Sequence, residues 1–561
     1  MNFKENIANL LAENIKDISY EEILLSIEIP PDSSKGDFAF PCFRLSKALK
    51  KAPNIIATEL SQSMIKPDYI EKIETVAGYL NFFVGRANYV KNILEGNYLD
   101  ITKTGNKQVI LIDYASLNIA KPFHIGHIKN VVVGDSLYRI FKFLGYNCIG
   151  INHLGDWGTQ FGKLIVAYRK WGNKEEVENK GIVELLRLYI KFHDEAEKDP
   201  TLNDQGREWF SKIEKGDKEA IDIWNWFKDI SLDYFNMLCD KLDIHMDYFI
   251  GESFYMDKLS SLIDTLSSKG ILTESEGAQI ISLDEYNLPP CLVLKKDGSS
   301  LYATRDLAAA IYRKNEFNFD KCIYITASEQ KLHFNQVFKS LEKAGYTWAN
   351  KLIHIAHGLV NLESGKISTR NGNIITLEEW IDEATEKTLK IIEEKNPALS
   401  NKLKVAEQVG IGAIIFSNLF YNSGKDVTFS WETALRFDGE TGPYVQYTHS
   451  RCCSLMRKNE ADIDVSHVDF SLLIDDTSFE LVKLISSFPD SIISSAEKYE
   501  PMYIARHLIE ICKAFNKFYN EYAILVDDAK VKNTRLYLVN AVRNVLREGL
   551  NLLCIKAPEE M

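Results

Sequence analysis

Two histidines, His124 and His127, stand three residues apart in LNIAKPFHIGHIKN (Leu117 to Asn130), just after an apolar run. Three chemistries suit such a pair: metal ligation, acid–base transfer and phosphate handling. Helical zinc motifs space their histidines by four with a glutamate between or nearby, and this pair has neither. Its location also points away from metal. The apolar strand QVILIDYA (108–115) ends shortly before it and a helix begins at it, so the pair lies at the carboxyl edge of a parallel sheet, where ligands of such folds bind. A helix N-terminus there offers unpaired backbone N–H groups and the positive end of its dipole. Gly126 would admit a bulky ligand close to the backbone. Imidazole N–H groups could donate to phosphate oxygens, and losing one such donor costs about 10²–10³ in rate. No G-x-x-x-x-G-K-[ST] occurs, so the phosphate cradle is not a P-loop, and GIGAII (410–415) is an incomplete glycine fingerprint in a helical stretch. A second candidate is SGKISTRNGN (364–373), a loop in which Lys366 and Arg370 flank the hydroxyls of Ser368 and Thr369 and could close over a polyphosphate.

The elements that must position these residues follow from periodicity. Ile128, Val132, Leu137, Ile140, Phe141 and Leu144 recur at helical spacing, with Gly145 at the expected left-handed C-cap. NCIGINHLG (147–155) follows as a strand, giving the strand–helix–strand pattern of a parallel α/β sheet. GSSLYATRDLAAAIYR (298–313) and KCIYITAS (321–328) resume that pattern after a charged, helical segment. The expected architecture is therefore α/β, with a Rossmann-like catalytic domain at 107–395 carrying an insertion at about 171–290. A small α+β domain precedes it at 1–88, a helical connector follows at 396–440, and an all-α bundle closes the chain at 441–561.

Composition sets the wider frame. The 561 residues are 45% hydrophobic and 26% charged, enough for several folded domains. MNFKENIANLL has scattered charge and no signal-peptide run, and Val409 to Phe420 is too short and too polar to cross a bilayer, so a soluble cytoplasmic protein with no membrane partner is expected. Nine cysteines without C-x-x-C spacing read as buried thiols in a reducing compartment, and a cysteine zinc site is not expected. A net charge of −13 argues against a general affinity for nucleic acid, yet residues 501–561 carry nine Lys/Arg against seven Asp/Glu and could face a polyanion.

HIGH at 124–127 and KIST at 366–369 resemble the signatures of the class I aminoacyl-tRNA synthetases. The fuller strings SLNIAKPFHIGHIKN, NHLGDWGTQFGKL, LYATRDLAAA, HGLVNLESGKISTRNGN and GPYVQYTHSR resemble arginyl-tRNA synthetases specifically. GDFAFPCFRLSKALKK is similar to that family's N-terminal module, and AFNKFYNEY…TRLYLVNAVRNVLREGLNLLCIKAPEEM (514–561) is similar to its anticodon-binding helices, so the resemblance spans the chain. It implies that arginine attacks the α-phosphorus of ATP, bound with Mg2+ as substrate, and that the arginyl group then passes to the terminal ribose of tRNA(Arg). It also implies that activation requires tRNA and that no protein nucleophile is needed; a monomer without structural zinc is expected. The expected catalytic set is His124, Gly126, His127, Lys366 and Arg370, with Lys121, Phe123, Ser368 and Thr369 also at ATP.

Arginine selectivity follows from charge. A fixed carboxylate meets the planar guanidinium fork bidentately, as lysine cannot match. If Thr304 caps its helix, Asp306 lies in the first turn facing the cleft. Charged hydrogen bonds of about 1.5–3 kcal/mol would give roughly 10- to 150-fold discrimination per contact. By resemblance Tyr302 and Asp306 hold the guanidinium, Asp113, Ser116 and Asn118 bind the amino and carboxylate end, and Gln330 is a further pocket residue. GDWG (155–158) falls at the pocket wall, and Tyr444, Gln446 and Tyr447 serve packing or tRNA contact. Three positions depart from the family pattern: Thr369, with Asn371 where a lysine is common; Leu117 in place of proline; and a glycine–proline absent from VAGYLNFF. A small-molecule nucleotidylyltransferase would not need two RNA-sized modules, and a cysteine or methionine synthetase would bring zinc-ligating cysteines. A non-catalytic tRNA-binding paralogue would have lost pocket residues that are present here.

Overall fold

The computed structural model describes residues 3–561 except 31, 33, 34, 68, 97, 103, 364–374, 460 and 461. These form two units: residues 101–451, 490–509 and 546–561 in the larger, and residues 1–100, 452–489 and 510–545 in the smaller.

In the larger unit the apolar run near Val109 becomes the middle strand of a five-stranded sheet. In chain order its strands are β1 (Val109–Asp113), β2 (Asn147–Asn152), β3 (Tyr248–Phe249), β4 (Lys321–Ala327) and β5 (Leu352–His357), arranged β5-β4-β1-β2-β3. Every pairing is parallel. Four of the five β1 residues are buried, as expected of a strand covered on both faces. β3 has only two residues and lies within the segment expected as an insertion.

Six helices of this unit bear on the site: α1 (Ile128–Phe143), α2 (Ile182–Lys198), α3 (Lys218–Leu242), α4 (Tyr302–Phe317), α5 (Lys331–Lys343) and α6 (Leu377–Lys395). The chain leaves β1 through α1 to β2 on one side, and leaves β4 through α5 to β5 on the other. The strand order therefore reverses between β1 and β4, and the crevice at their carboxyl ends is where such sheets bind ligands. Leu111, Ile151, Tyr324, Leu307 and Val337 belong to one core around this sheet. Helices of the 159–242 segment build a separate core from Phe161, Leu185, Phe192 and Phe227.

α1 ends as its sequence predicts, with Gly145 at φ 86° and the Tyr146 amide donating 3.0 Å back to Phe141 O. α4 differs from expectation. It begins at Tyr302 with Leu301 as N-cap, so Thr304 is the third helical residue rather than the cap. Its hydroxyl accepts from the Leu301 amide at 3.2 Å and donates to Val293 O. Asp306 consequently stands one turn into the helix instead of in its opening turn.

The smaller unit combines the first hundred residues with two segments from the last quarter of the chain, 452–489 and 510–545. Its antiparallel strands Phe38–Pro41, Ile70–Val76 and Tyr79–Val84 form one sheet, with Tyr79–Val84 in the middle. Arg86 Nη1 donates to Ile474 O at 2.7 Å and to Asp476 at 2.8 Å, and its guanidinium lies over the Phe479 ring at 4.8 Å. The chain beyond 441 is largely helical, and of its expected apolar stripe Leu508, Ile511, Phe515 and Phe518 are buried and Tyr522 partly so. Eight of the nine cysteines are buried free thiols, and Cys148 is partly exposed.

α1 packs against the Tyr114 ring at Gly134, where an added Cβ would lie 2.3 Å from that ring. Gly134→Ala is expected to destabilise the protein by about 1–3 kcal/mol through overpacking, read as a lower urea midpoint. An unchanged midpoint would mean that this contact is not close-packed in solution.

Candidate functional site

The turn leaving β1 carries the site and is held in an unusual conformation. Ala115, Ser116 and Ala120 have φ values of 74°, 48° and 61°, a region that residues with a Cβ rarely enter. Buried side chains hold it there. Asn130 Oδ1 accepts from the Ala115 amide at 2.8 Å, Asn152 Oδ1 from the Leu117 amide at 3.3 Å, and Ser231 Oγ from the Ala120 amide at 2.8 Å. Asn118 bridges to Gly155, whose lack of a side chain matters, since a Cβ there would sit 2.1 Å from Asn118 Oδ1.

The histidine pair follows on a short 3-10 turn, Ile125–His127, that runs into α1. The two rings lie 3.8 Å apart. His124 Nδ1 accepts from the Gly126 amide at 3.1 Å, and His127 Nδ1 accepts from the His124 amide at 3.3 Å. Each neutral ring therefore carries its proton on Nε2. Burial, and after it the charge of Lys121, lowers His124 to about 4, while burial, and then His124, lowers His127 to about 3. Both are neutral N–H donors near pH 7.

This corrects two expectations. The backbone amides at the start of the helix are already used: Ile125 N–H donates to Ile375 O at 3.4 Å, Gly126 to His124 Nδ1, and His127 to His124 O at 2.9 Å. The space beside Gly126 is filled by the His124 ring, whose Cε1 would lie 2.9 Å from a Cβ at that position. The imidazoles themselves, and not the peptide groups, are left to face a ligand.

A cavity of about 470 Å³ opens on this pair. Asn118, Lys121, His124 and His127 line one side, and Tyr189, His193, Asp194 and Glu197 of α2 line the other. Lys121 Nζ sits 5.4 Å above the Tyr189 ring. Phe123 does not reach the cavity; it is fully buried and packs edge-on to His127 at 5.6 Å. Lys366, Ser368, Thr369, Arg370 and Asn371 lie outside the described residues. The chain following them meets the histidines directly: Thr376 bridges to His124, and the Leu377 amide donates to Phe123 O at 2.8 Å.

Two of the expected arginine residues, Asp113 and Asp306, belong to a chain of buried and partly buried polar side chains. Asp113 Oδ2, at the end of β1, pairs with Arg313 Nη1 of α4 at 2.7 Å. Arg313 Nη2 lies 3.3 Å from His153 Nδ1, and His153 Nε2 lies 3.8 Å from Asp306 Oδ1. Burial raises the Asp306 carboxyl, but a hydrogen bond from His333 leads the groups that more than offset it, so the carboxyl lies below its ordinary value and is ionised. Tyr302 is exposed, with the Arg305 guanidinium 4.7 Å from its ring centre and Glu252 3.0 Å from Arg305 Nε. Burial pushes Glu252 up to about 7 against the Arg305 charge. Ser116 is partly buried in the turn, and Gln330 is exposed at the start of α5.

Asp156 of GDWG serves as an anchor. Its fully buried carboxylate accepts from Lys228 Nζ at 2.8 Å, the Ser253 amide at 2.8 Å and Ser253 Oγ at 2.7 Å, tying α3 to the sheet edge. Gln446 is also fully buried, donating to Gln408 O and Lys556 O, and so serves packing. Sequence reasoning missed Asn130, Asn152, His153, Ser231, Arg313 and His333. Asn130 and Asn152 left a trace as amides inside apolar runs, whereas Ser231 and Arg313 looked like ordinary helical residues.

Comparison with known proteins places the chain in a family. Residues 89–431 match the family described as tRNA synthetases class I (R), catalytic domain, residues 445–561 match the DALR anticodon binding domain, and residues 4–84 match the arginyl tRNA synthetase N terminal domain. The arginine–tRNA ligase of Alkaliphilus metalliredigens is 52% identical with all of both chains covered, and that of Clostridioides difficile is 49% identical with the same coverage. The Thermus thermophilus arginyl-tRNA synthetase structure superposes with a TM-score of 0.84 at 24% identity, covering 100% of this chain and 99% of its own, a likeness of fold. With the whole length of the sequence matched, the chain belongs to the class I arginyl-tRNA synthetases.

Proposed function

We infer that this protein joins arginine to tRNA(Arg) in two steps, working as a cytoplasmic monomer with Mg2+-bound ATP as its second substrate. In the first step an arginine carboxylate oxygen bonds to the α-phosphorus of ATP as the bond to the bridging oxygen of pyrophosphate breaks, giving arginyl-adenylate. In the second, a hydroxyl of the terminal ribose attacks the arginyl carbonyl and AMP leaves. The observation that carries this reading is that one sheet edge holds both two neutral N–H donors and, linked to it through His153, an ionised, partly buried carboxylate. Donors of fixed tautomer need no reorganisation when charge grows on phosphate oxygens, which is the condition for electrostatic stabilisation of a transition state. The carboxylate matches a guanidinium by charge and by its pair of acceptor oxygens.

Roles within the site follow from placement. His124, His127 and Lys121 handle ATP, and Phe123 braces His127 from behind. Gly126 makes room for the His124 ring. Asp306 and Tyr302 take the guanidinium, Asn118 and Ser116 take the backbone end of arginine, and Asp113 supports that end through its Arg313 pair, with Gln330 at the rim. The stitching of Thr376 and Leu377 to the histidine segment supports a clamp by Lys366, Ser368, Thr369 and Arg370, because it brings the chain just beyond them to His124. tRNA engages the 445–561 and 4–84 regions as well as the catalytic domain, in keeping with the families those regions match.

ATP–pyrophosphate exchange by the purified protein is expected to require both arginine and cognate tRNA; no exchange with both present would refute the enzyme reading. Asp306→Ala should abolish arginine use while leaving tRNA affinity, read by filter binding, within about twofold, whereas equal loss of both would show the pocket misassigned. The histidines carry a pH prediction. Their folded pKa values, about 4 and about 3, lie below the free value, so neither changes charge near neutrality. kcat profiles of the parent and His124→Asn should therefore run parallel from about pH 6 to 8, offset by roughly 10²–10³. An inflection near 6.5 in the parent that vanishes in the variant would overturn the neutral-donor assignment. On stability the sign is opposite to that of a paired histidine: below about 6.5 the unfolded chain takes up protons that the folded pair refuses, so the pair lowers stability as pH falls towards 4.

A further inference from the structure

The Asp306 carboxylate is oriented before any substrate arrives. His333 Nε2 lies 2.6 Å from Asp306 Oδ2, and this is the one hydrogen bond the carboxylate accepts among the described residues. His153 stands farther off, 3.8 Å from Oδ1. His333 is the third residue of α5, one turn beyond Gln330, and its ring meets Phe334 edge-on at 5.2 Å. The side chains of His333 and Asp306 are 23% and 19% exposed, so the pair sits at the wall of the crevice and not in the core.

We propose that His333 is a positioning residue that determines arginine specificity by fixing the carboxylate plane of Asp306. This rests on the assignment of Asp306 to the guanidinium. The second side-chain torsion of an aspartate is a broad, roughly twofold rotor, so an untethered carboxylate turns freely about Cβ–Cγ. A bidentate match to a planar guanidinium needs both oxygens in one fixed plane. A carboxylate offers about four lone-pair sites, and one N–H donor at Oδ2 uses a single one of them, leaving both oxygens with acceptor capacity for the substrate. The same bond favours the ionised form, as a guanidinium partner requires. His333 thus acts through Asp306 and has no need to touch arginine.

The test is arginine-dependent ATP–pyrophosphate exchange with tRNA, using His333→Leu, His333→Asn, His333→Gln, Asp306→Asn and the His333→Leu/Asp306→Asn double variant. Leucine removes the donor, asparagine is too short to reach Oδ2, and the glutamine Nε2 reaches as far as the imidazole Nε2. His333→Leu and His333→Asn are expected to raise the arginine KM roughly 10- to 100-fold with kcat and the ATP KM within about threefold, while His333→Gln stays within about threefold of the parent throughout. In the Asp306→Asn background, His333→Leu should add less than about twofold, because its route is already cut. An unchanged arginine KM in both loss variants would overturn the role of His333 and leave the pocket standing. A parallel rise in the ATP KM, failure of glutamine to restore, or a full additional loss in the double variant would do the same. An arginine KM that Asp306→Asn leaves unchanged would overturn the pocket assignment, and this inference with it.

Discussion

The site depends on a turn that would not hold its shape alone. Between Asp113 and Lys121 the chain visits the left-handed region at Ala115, Ser116 and Ala120, each visit costing on the order of 1–3 kcal/mol for a residue with a Cβ. Three buried acceptors offset this: Asn130 from α1, Asn152 from β2 and Ser231 from α3. Each comes from a different element, so the turn is correct only when sheet, crossover helix and inserted helix are all in place. The conformation separates two tasks over five residues, with Asp113 turned to the buried charges of α4 and Asn118 to the cavity of the histidines.

Charge is managed differently at the two ends of that turn. On one side the side chains alternate in sign: Asp113 pairs with Arg313, and beyond it His153 and His333 flank Asp306, whose carboxyl lies below its ordinary value. An isolated buried charge would be neutralised, and alternation removes that pressure. On the other side the histidines are kept neutral by burial, and their Nδ1 atoms are occupied by backbone amides. One end of the turn thus presents N–H dipoles that carry no net charge, and the other leads to a carboxylate that is not easily protonated.

The fold was legible where periodicity is strong. The β1–α1–β2 unit, the glycine stop at Gly145 and the helical C-terminal region follow from apolar spacing, and the parallel sheet follows from their alternation. Boundaries set by one hydrogen bond were less legible. Thr304 has the chemistry of a cap, yet it lies inside α4, because its hydroxyl is claimed by Val293 O as well as by the Leu301 amide. β3, only two residues long, is a strand because β2 is there to pair with it. Nor does local pattern reveal that residues near the N-terminus share a unit with 452–489 and 510–545, since contacts across that separation leave no periodic trace.

For the site, the sequence by itself determined the donor types and the family: two histidines where a strand gives way to a helix, an acidic residue in LYATRD, and motifs spread along the whole chain. Chemistry at that level depends on residue identity and short spacing, both of which are written in order. Only the tertiary structure decided which atoms are left to act. It spent the opening amides of the helix on the histidines' own Nδ1 atoms and on Ile375, buried Phe123 behind His127, and bound Asp113 to an arginine 200 residues later. The physical reason is saturation: a hydrogen-bonding group serves a ligand only if no neighbour in space has already satisfied it.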